Sequence, residues 1–88
     1  MDQTYYPPRR KLTRDTAALL ARAHRQTGLT YEQAGEMCGI DGSYFRRLTI
    51  GERCPSRSVA QRIVFALDLD DETAHRLMSE SVDKTNRR

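Results

Sequence analysis

Apolar residues recur every three or four positions along most of this chain, which is the spacing of amphipathic helices. No alternating strand pattern is found, so the sequence predicts an all-α domain. A first helix is expected over about 14–27 and a second over about 31–38, each followed by a glycine suited to a left-handed C-cap. The second helix opens with Thr30 and Gln33 at the spacing of a capping box.

The third predicted helix, about 42–50, has two distinct faces. Phe45 and Leu48 lie three residues apart and share the face that must be buried. The opposite face presents Ser43, Arg46, Arg47 and Ile50. Only about three residues separate this helix from the second, so the two helices must form a tight corner.

Gly35, inside the second helix, costs about 1 kcal/mol of helix stability relative to alanine. A close helix crossing would explain it, and a neutral substitution is the alternative.

Two further helices complete the predicted domain. A fourth opens at Pro55 and Ser56, with Ser56 as its cap, and carries the strongest apolar stripe of the chain. A fifth opens with the acidic residues 70–72, which suit the first turn of a helix. These elements make one domain over 14–82, preceded by a basic arm, 1–13, and followed by a polar tail, 83–88.

The chain is mildly basic, and its charge is unevenly distributed. Its 88 residues include 15 Lys and Arg against 12 Asp and Glu, a formal net charge of +3. Most of the basic residues are Arg, the better donor to phosphates and to guanine edges. Residues 1–14 carry four basic and one acidic side chain, residues 52–66 three and one, and residues 67–82 one and five. The fifth helix should therefore face away from any polyanion.

Several function classes find no support in the sequence. No apolar run approaches the ~18 residues that span a membrane, and the N-terminus lacks the apolar core of a signal peptide. We therefore expect a soluble, cytoplasmic protein. Cys38 and Cys54 fit neither a disulfide framework nor a zinc pattern, and Cys38 should be a buried thiol. There is no metal-ligand spacing, phosphate loop or nucleophile–base pair, so we expect no metal, no cofactor and no enzymatic activity.

One segment carries a motif. Residues 28–48 read GLTYEQAGEMCGIDGSYFRRL, followed by Gly51, Pro55-Ser56 and Ala66-Leu67. This segment, within residues 14–82, resembles the lambda-repressor-like, or Xre/Cro-type, helix-turn-helix domains, whose usual run is G-L-T-Q-x-x-L-A-x-x-x-G-I-S-x-S-x-I-S-x-x-E-x-G. Gly39, Ile40, Ser43 and Gly51 fall on the family's positions. The chain departs from the family at Tyr31, Ala34 and Gly35, usually Gln, Leu and Ala, and at His24, where a structural Arg is common.

The resemblance implies a compact five-helix, lambda-repressor-like domain that binds double-stranded DNA with its third helix in the major groove. It places base contacts near Gly42, Ser43 and Arg47, and Tyr44, on the flank of the same helix, is the fourth candidate base-reading residue. Arg46 is expected to meet phosphate. The other expected backbone contacts are Thr30, Tyr31, Arg53, Ser56 and Arg57. Residues Arg9, Arg10 and Lys11 join them if the arm follows the DNA, and the alternative is a solvated tail.

Domains of this type usually pair on pseudo-palindromic sites with half-sites about 34 Å apart, so we expect a homodimer. The candidate dimer surface on the fifth helix is Leu77, Met78 and Val82, which otherwise complete the core of the monomer. The expected function is a sequence-specific transcriptional regulator, a repressor, at the nucleoid. The alternative is a protein-interaction module that does not bind DNA, or an antitoxin- or excisionase-like partner protein, on the same fold.

Overall fold

The computed structural model describes residues 11–82, which form five helices and no β-strand. In chain order these are α1 (Arg14–Thr27), α2 (Tyr31–Cys38), α3 (Gly42–Thr49), α4 (Arg57–Ala66) and α5 (Asp71–Glu80). The predicted all-α class and the first two helices are confirmed. The third helix ends one residue earlier than predicted, because Ile50 is its C-cap. Pro55 and Ser56 precede α4 rather than belong to it, with Ser56 as the predicted cap.

Each helix begins after a polar side chain that caps it. Thr13, Thr30, Asp41, Ser56 and Asp70 precede α1 to α5 in that order, and each accepts a hydrogen bond from a backbone N–H of the first turn. At α2 the predicted capping box is present, because the Gln33 side chain also accepts from the Thr30 N–H at 2.9 Å. Such caps contribute about 1 kcal/mol each. The helix starts are therefore determined by local sequence.

The helices α2 and α3 approach each other more closely than side chains would allow. A Cβ atom on Gly35 would lie 2.8 Å from the carbonyl oxygen of Ile40 and 3.0 Å from the Cα of Gly42. A Cβ atom on Gly42 would lie 2.8 Å from the Cα of Glu32. Contacts this short do not occur for real Cβ atoms, so both positions require glycine. The close crossing predicted at Gly35 is confirmed, and it allows the short turn between the two helices.

The core is formed by one face of each helix. The completely buried apolar side chains are Leu20 of α1, Ala34 and Cys38 of α2, Phe45 and Leu48 of α3, Ala60 and Ile63 of α4, and Leu77 of α5. The burial of Phe45 and Leu48 confirms the face predicted from their spacing. Because both side chains are enclosed, α3 cannot rotate about its axis without exposing an aromatic ring or a leucine to water.

An aromatic stack joins α1 to the corner. The His24 ring of α1 stacks on the Tyr31 ring of α2, with centroids 4.7 Å apart, and meets the edge of Phe45 at 5.3 Å. His24 is buried, and its Nε2 atom has no hydrogen-bond partner among residues 11–82. His24 therefore belongs to the core rather than to the surface. His24 and Tyr31, which both depart from the family pattern, pack on each other.

The two cysteines differ in burial, and each has contacts within the fold. Cys38 is completely buried, as predicted, and burial raises the pKa of its thiol although Arg62 opposes the rise. The Cys54 thiol donates a hydrogen bond to the Glu80 carbonyl at 2.7 Å. Within the described range no group of three or more His, Cys, Asp and Glu side chains could hold a metal ion. No helix there is long and apolar enough to cross a membrane.

The carboxylate of Glu80, in the last turn of α5, holds the start of α1. It accepts hydrogen bonds from the Thr13 N–H at 2.8 Å, from the Thr13 hydroxyl at 2.9 Å and from the Thr16 hydroxyl at 2.5 Å. Both threonines belong to the cap and first turn of α1. This one side chain therefore ties the beginning of the domain to its end.

Val82 ties the end of the described chain to the start of α4. Its N–H donates to the Pro55 carbonyl and its carbonyl accepts from the Arg57 N–H, both at 2.9 Å. These two bonds make a parallel bridge between Ser56 and Val82. The starts of α1 and α4 and the end of α5 therefore lie together at one end of the molecule.

The Glu80 contacts should make the stability of the fold sensitive to acid. Burial alone would raise the pKa of this carboxyl, but the hydrogen bonds from Thr16 and Thr13 outweigh burial and lower it below its ordinary value of 4.5. The charged carboxylate therefore stabilises the fold above that pH, and this contribution is lost as the pH falls through the lowered pKa of the folded protein. We expect Glu80→Gln to melt at a lower temperature than the unaltered protein at about pH 7, with the difference closing toward about pH 3.

Thermal melts followed by circular dichroism measure this difference at each pH. The matched control is Glu36→Gln, which neutralises an exposed carboxyl of α2 and should melt like the unaltered protein throughout. If the difference for Glu80→Gln is as large in acid as at neutral pH, the charged carboxylate does not have the stabilising role described here.

Candidate nucleic-acid interface

The exposed face of α3 is polar and basic, and its other face is anchored in the core. Ser43, Arg46 and Arg47 are exposed, opposite the buried Phe45 and Leu48. The predicted rotation of α3 is therefore confirmed. Ser43 and Arg47 are four residues apart, so they lie one above the other on the outward face.

The N-terminal end of α3 is fixed by its cap and by its contact with α2. The Asp41 carboxylate accepts a hydrogen bond from the Ser43 N–H at 3.0 Å. Gly42 faces Glu32, so it has a packing role in addition to its predicted place among the base contacts. Asp41 was not among the predicted site residues, although an Asp directly before a helical pattern is a usual N-cap signal. Asp41 brings a negative charge to the N-terminal end of α3, whereas Arg46 and Arg47 lie in its last turn.

Tyr44 lies at the boundary between the outward face of α3 and the core. Its side chain is half-buried and packs against core residues. Burial raises the pKa of its hydroxyl, the nearby Cys54 adds to the rise, and Arg53 opposes it. The loop after α3, which contains Arg53 and Cys54, therefore lies close to Tyr44 and to the predicted base-reading face.

The predicted backbone contacts lie at the starts of α2 and α4 and in the loop after α3. Thr30, Tyr31 and Arg57 are exposed, whereas Arg53 and Ser56 are half-buried. Because the Tyr31 ring stacks on His24, any phosphate contact by Tyr31 would come from its hydroxyl.

Several backbone N–H groups at these helix starts are used within the chain. The Gln33 N–H donates to the Thr30 hydroxyl, and the Val59 N–H donates to the Ser56 hydroxyl. The Arg57 N–H is bonded to the Val82 carbonyl. Anchoring of phosphate at α4 is therefore expected to depend on the Arg57 guanidinium more than on backbone amides.

Within the part of the chain that the structure describes, the basic side chains of this surface form no ion pair with a carboxylate. Among residues 11–82, no carboxylate forms an ion pair with Arg46, Arg47 or Arg57; the Arg76–Glu72 pair, 3.5 Å apart, lies on α5. Lys11 is exposed, and the other two basic residues predicted for the arm, Arg9 and Arg10, lie outside the described residues.

The three residues predicted for a dimer surface do not share one exposed patch. Leu77 is completely buried within the chain, so its placement on a dimer surface is corrected: it belongs to the monomer core. Met78 and Val82 are half-buried. A helical stripe of apolar residues cannot separate side chains that complete the core from those that meet a partner, which is why Leu77 was misplaced.

A comparison with profiles of protein families gives an independent line of support. The profile of a helix-turn-helix domain family matches residues 15–77, which include all of α2, α3 and α4 and most of α1 and α5. Searches of curated proteins and of solved structures returned no match. The matched range contains the glycine crossing, the capped start of α3 and its buried face. Its five helices are consistent with the lambda-repressor-like fold that the sequence resemblance implied. The chain therefore belongs to a helix-turn-helix domain family.

Proposed function

We propose that this protein is a sequence-specific, double-stranded DNA-binding transcriptional regulator that reads the major groove with α3. The observation that carries the proposal is the fixed rotation of this helix, because burial of Phe45 and Leu48 turns Ser43 and Arg47 outward. The helix-turn-helix family assignment supports DNA as the partner.

The dimensions and chemistry of α3 suit the major groove. A helix with its side chains is about 10–12 Å wide, and the groove is about 12 Å wide and shows a distinct pattern for each base pair. Arg47 can donate two hydrogen bonds to the O6 and N7 atoms of guanine, and Ser43 can donate or accept. Arg46, to one side of the outward face, is suited to a phosphate.

Contacts to the DNA backbone would come from elements on both sides of α3. Arg53 and Arg57 follow α3 in the chain, while Thr30 and Tyr31 belong to the start of α2. Lys11 and the arm before it would add charge. Contacts of this kind set the position and register of a protein on the duplex but do not read its sequence. Sequence preference would therefore depend on the outward face of α3.

Two copies would act together on one site. A single domain of this size makes few base contacts, so we propose a homodimer on a pseudo-palindromic site with half-sites about 34 Å apart. Met78 and Val82 remain candidates for the contact between copies. A compact domain that acts by occupying its DNA site suits a repressor. This repressor would work in the cytoplasm, at the nucleoid, and would have no enzymatic role.

A second candidate function is protein recognition on the same fold without DNA binding. It is favoured by two apolar side chains at the surface, Phe65, 83% exposed, and Met37, 55% exposed. Both line one groove between α2 and α4, which is distinct from the basic face of α3. Binding to DNA displaces counterions and so depends on salt, whereas recognition through an apolar groove has no such requirement.

The salt dependence of DNA binding separates the two functions. If each subunit meets four to six phosphates, the logarithm of the association constant should fall with the logarithm of salt concentration with a slope of about −4 to −5 per subunit. Fluorescence anisotropy titrations of a labelled mixed-sequence duplex at several salt concentrations measure this slope. A slope near zero, or no binding at low salt, contradicts the DNA-binding proposal and favours the second candidate.

Two neighbouring arginines of α3 should give different results on mutation. Arg47→Ala should flatten the preference at one base pair of each half-site, because a bidentate arginine–guanine contact is worth about 1–3 kcal/mol of discrimination. Arg46→Ala should weaken binding to all sequences alike and reduce the salt slope by about 1, as expected for a phosphate contact. The measurement is the affinity of each variant for the preferred site and for its single-base changes.

Phe45→Ala is the comparison variant in this series, because it should reduce the stability of the fold rather than remove a contact to DNA. It removes a completely buried ring and should cost about 3–5 kcal/mol of stability, seen as a lower melting temperature. Arg46→Ala and Arg47→Ala should melt close to the unaltered protein. If Arg46→Ala alters the base preference and Arg47→Ala does not, the proposed rotation in the groove is wrong by about one residue. If neither alters it, α3 does not read the bases.

A further inference from the structure

The outward face of α3 carries one large exposed apolar side chain, Ile50, directly after the helix ends at Thr49. The Ile50 N–H donates to the Arg46 carbonyl at 3.2 Å, so Ile50 still occupies the next position of the helical wheel. On that wheel Ile50 follows Arg47 by three residues and Ser43 by seven, and these spacings place all three on one face. Ile50 is 46% exposed, so burial in the core does not explain why this position is apolar.

The end of α3 is closed by backbone hydrogen bonds, which fix Ile50 relative to Arg47. The Gly51 N–H donates to the Leu48 carbonyl at 3.1 Å. The Glu52 N–H donates to the Arg47 carbonyl at 2.9 Å. Gly51 has a φ of 81°, in the left-handed region, and this conformation turns the chain away from the helix. Ile50 is therefore the last side chain of the outward face, and the same closed backbone sets its position and that of Arg47.

An aliphatic side chain on this face has one chemical feature to recognise in the major groove. The base edges there present hydrogen-bond donors, hydrogen-bond acceptors and the C5-methyl group of thymine. The Ile50 side chain forms no hydrogen bond, so it cannot hold a phosphate as an arginine does. Against a donor or acceptor of a base it would displace water without replacing the lost hydrogen bond. Against a thymine methyl group it removes apolar surface from water on both sides of the contact.

We propose that Ile50 is a specificity-determining residue that selects thymine by packing on its C5-methyl group. The proposal rests on the DNA-binding function proposed above, and it adds a base contact whose chemistry differs from that of Ser43 and Arg47. Three residues of a helix rise by about 4.5 Å, and stacked base pairs lie about 3.4 Å apart. In each half-site the thymine therefore lies within about two base pairs of the guanine that Arg47 contacts.

The test uses duplexes that differ only in one methyl group. The starting duplex is the site that the unaltered protein enriches from a pool of random sequence. Each of its thymines is replaced in turn by deoxyuridine, which pairs with adenine in the same way but has no C5-methyl group. Affinities are measured by fluorescence anisotropy for the unaltered protein, for Ile50→Ala and for the matched control Met37→Ala. Met37 is an apolar side chain of α2, 55% exposed, and thermal melts verify that both variants are folded.

Loss of one thymine methyl group in a half-site should weaken binding by the unaltered protein about fourfold, the cost of leaving one methyl group without its apolar contact. Met37→Ala should show the same loss, because Met37 lies outside the outward face of α3. Ile50→Ala should bind the original site more weakly, and replacement of the same thymine should then have no further effect. The effects of replacing other thymines should be the same in all three proteins.

Two results would overturn the proposal and leave the DNA-binding function standing. In the first, the enriched site has no methyl-sensitive thymine within the stated distance of the guanine whose preference depends on Arg47. In the second, Ile50→Ala keeps the sensitivity to the methyl group, as it would if Ile50 only supported the fold. If the unaltered protein enriches no site, the proposed function fails and the role of Ile50 fails with it.

Discussion

The crossing of α2 and α3 at Gly35 and Gly42 is the contact on which the remaining geometry depends. With no Cβ atom on either residue, the backbones meet directly, and a short turn is enough to join the helices. Phe45 and Leu48 then enter the core at a fixed angle, and the other face of α3 is directed to solvent. A side chain at Gly42 would press on Glu32 and move the start of α3, so the site depends on the absence of side chains as much as on the arginines.

The second constraint is the polar connection around Glu80. One carboxylate holds the start of α1, and Val82, two residues after it, bonds to the start of α4. Three elements that are distant in sequence are thereby held at one end of the domain, beside the loop after α3. A small domain buries a limited apolar area, so its core is thin. These hydrogen bonds add polar contacts that hold the ends of the helices together around that core.

Features encoded by neighbouring residues could be predicted from the sequence, and features that join distant residues could not. The helix starts follow from Thr30, Ser56 and similar caps, and the buried face of α3 follows from the spacing of Phe45 and Leu48. Glu80 is separated from Thr13 by 67 residues, and no periodicity connects them.

Within the candidate site, the outward face of α3 was predictable, whereas its surroundings were not. The stack of His24 on Tyr31 joins two helices, and each residue alone looks like a departure from the family pattern. Leu77 shows the same limit, because an apolar stripe does not reveal which neighbour covers it. The use of the Arg57 N–H by Val82 likewise depends on a contact between distant parts of the chain.

The most direct test of α3 as the reading element is selection of bound duplexes from a pool of random sequence, followed by sequencing. The geometry predicts enrichment of a pseudo-palindromic motif with half-sites about 34 Å apart along the duplex. Each half-site should contain a guanine at the position whose preference is lost when the selection is repeated with Arg47→Ala. Enrichment of no sequence, or of a motif unchanged by any substitution on the outward face of α3, would contradict the assignment of this helix as the reader.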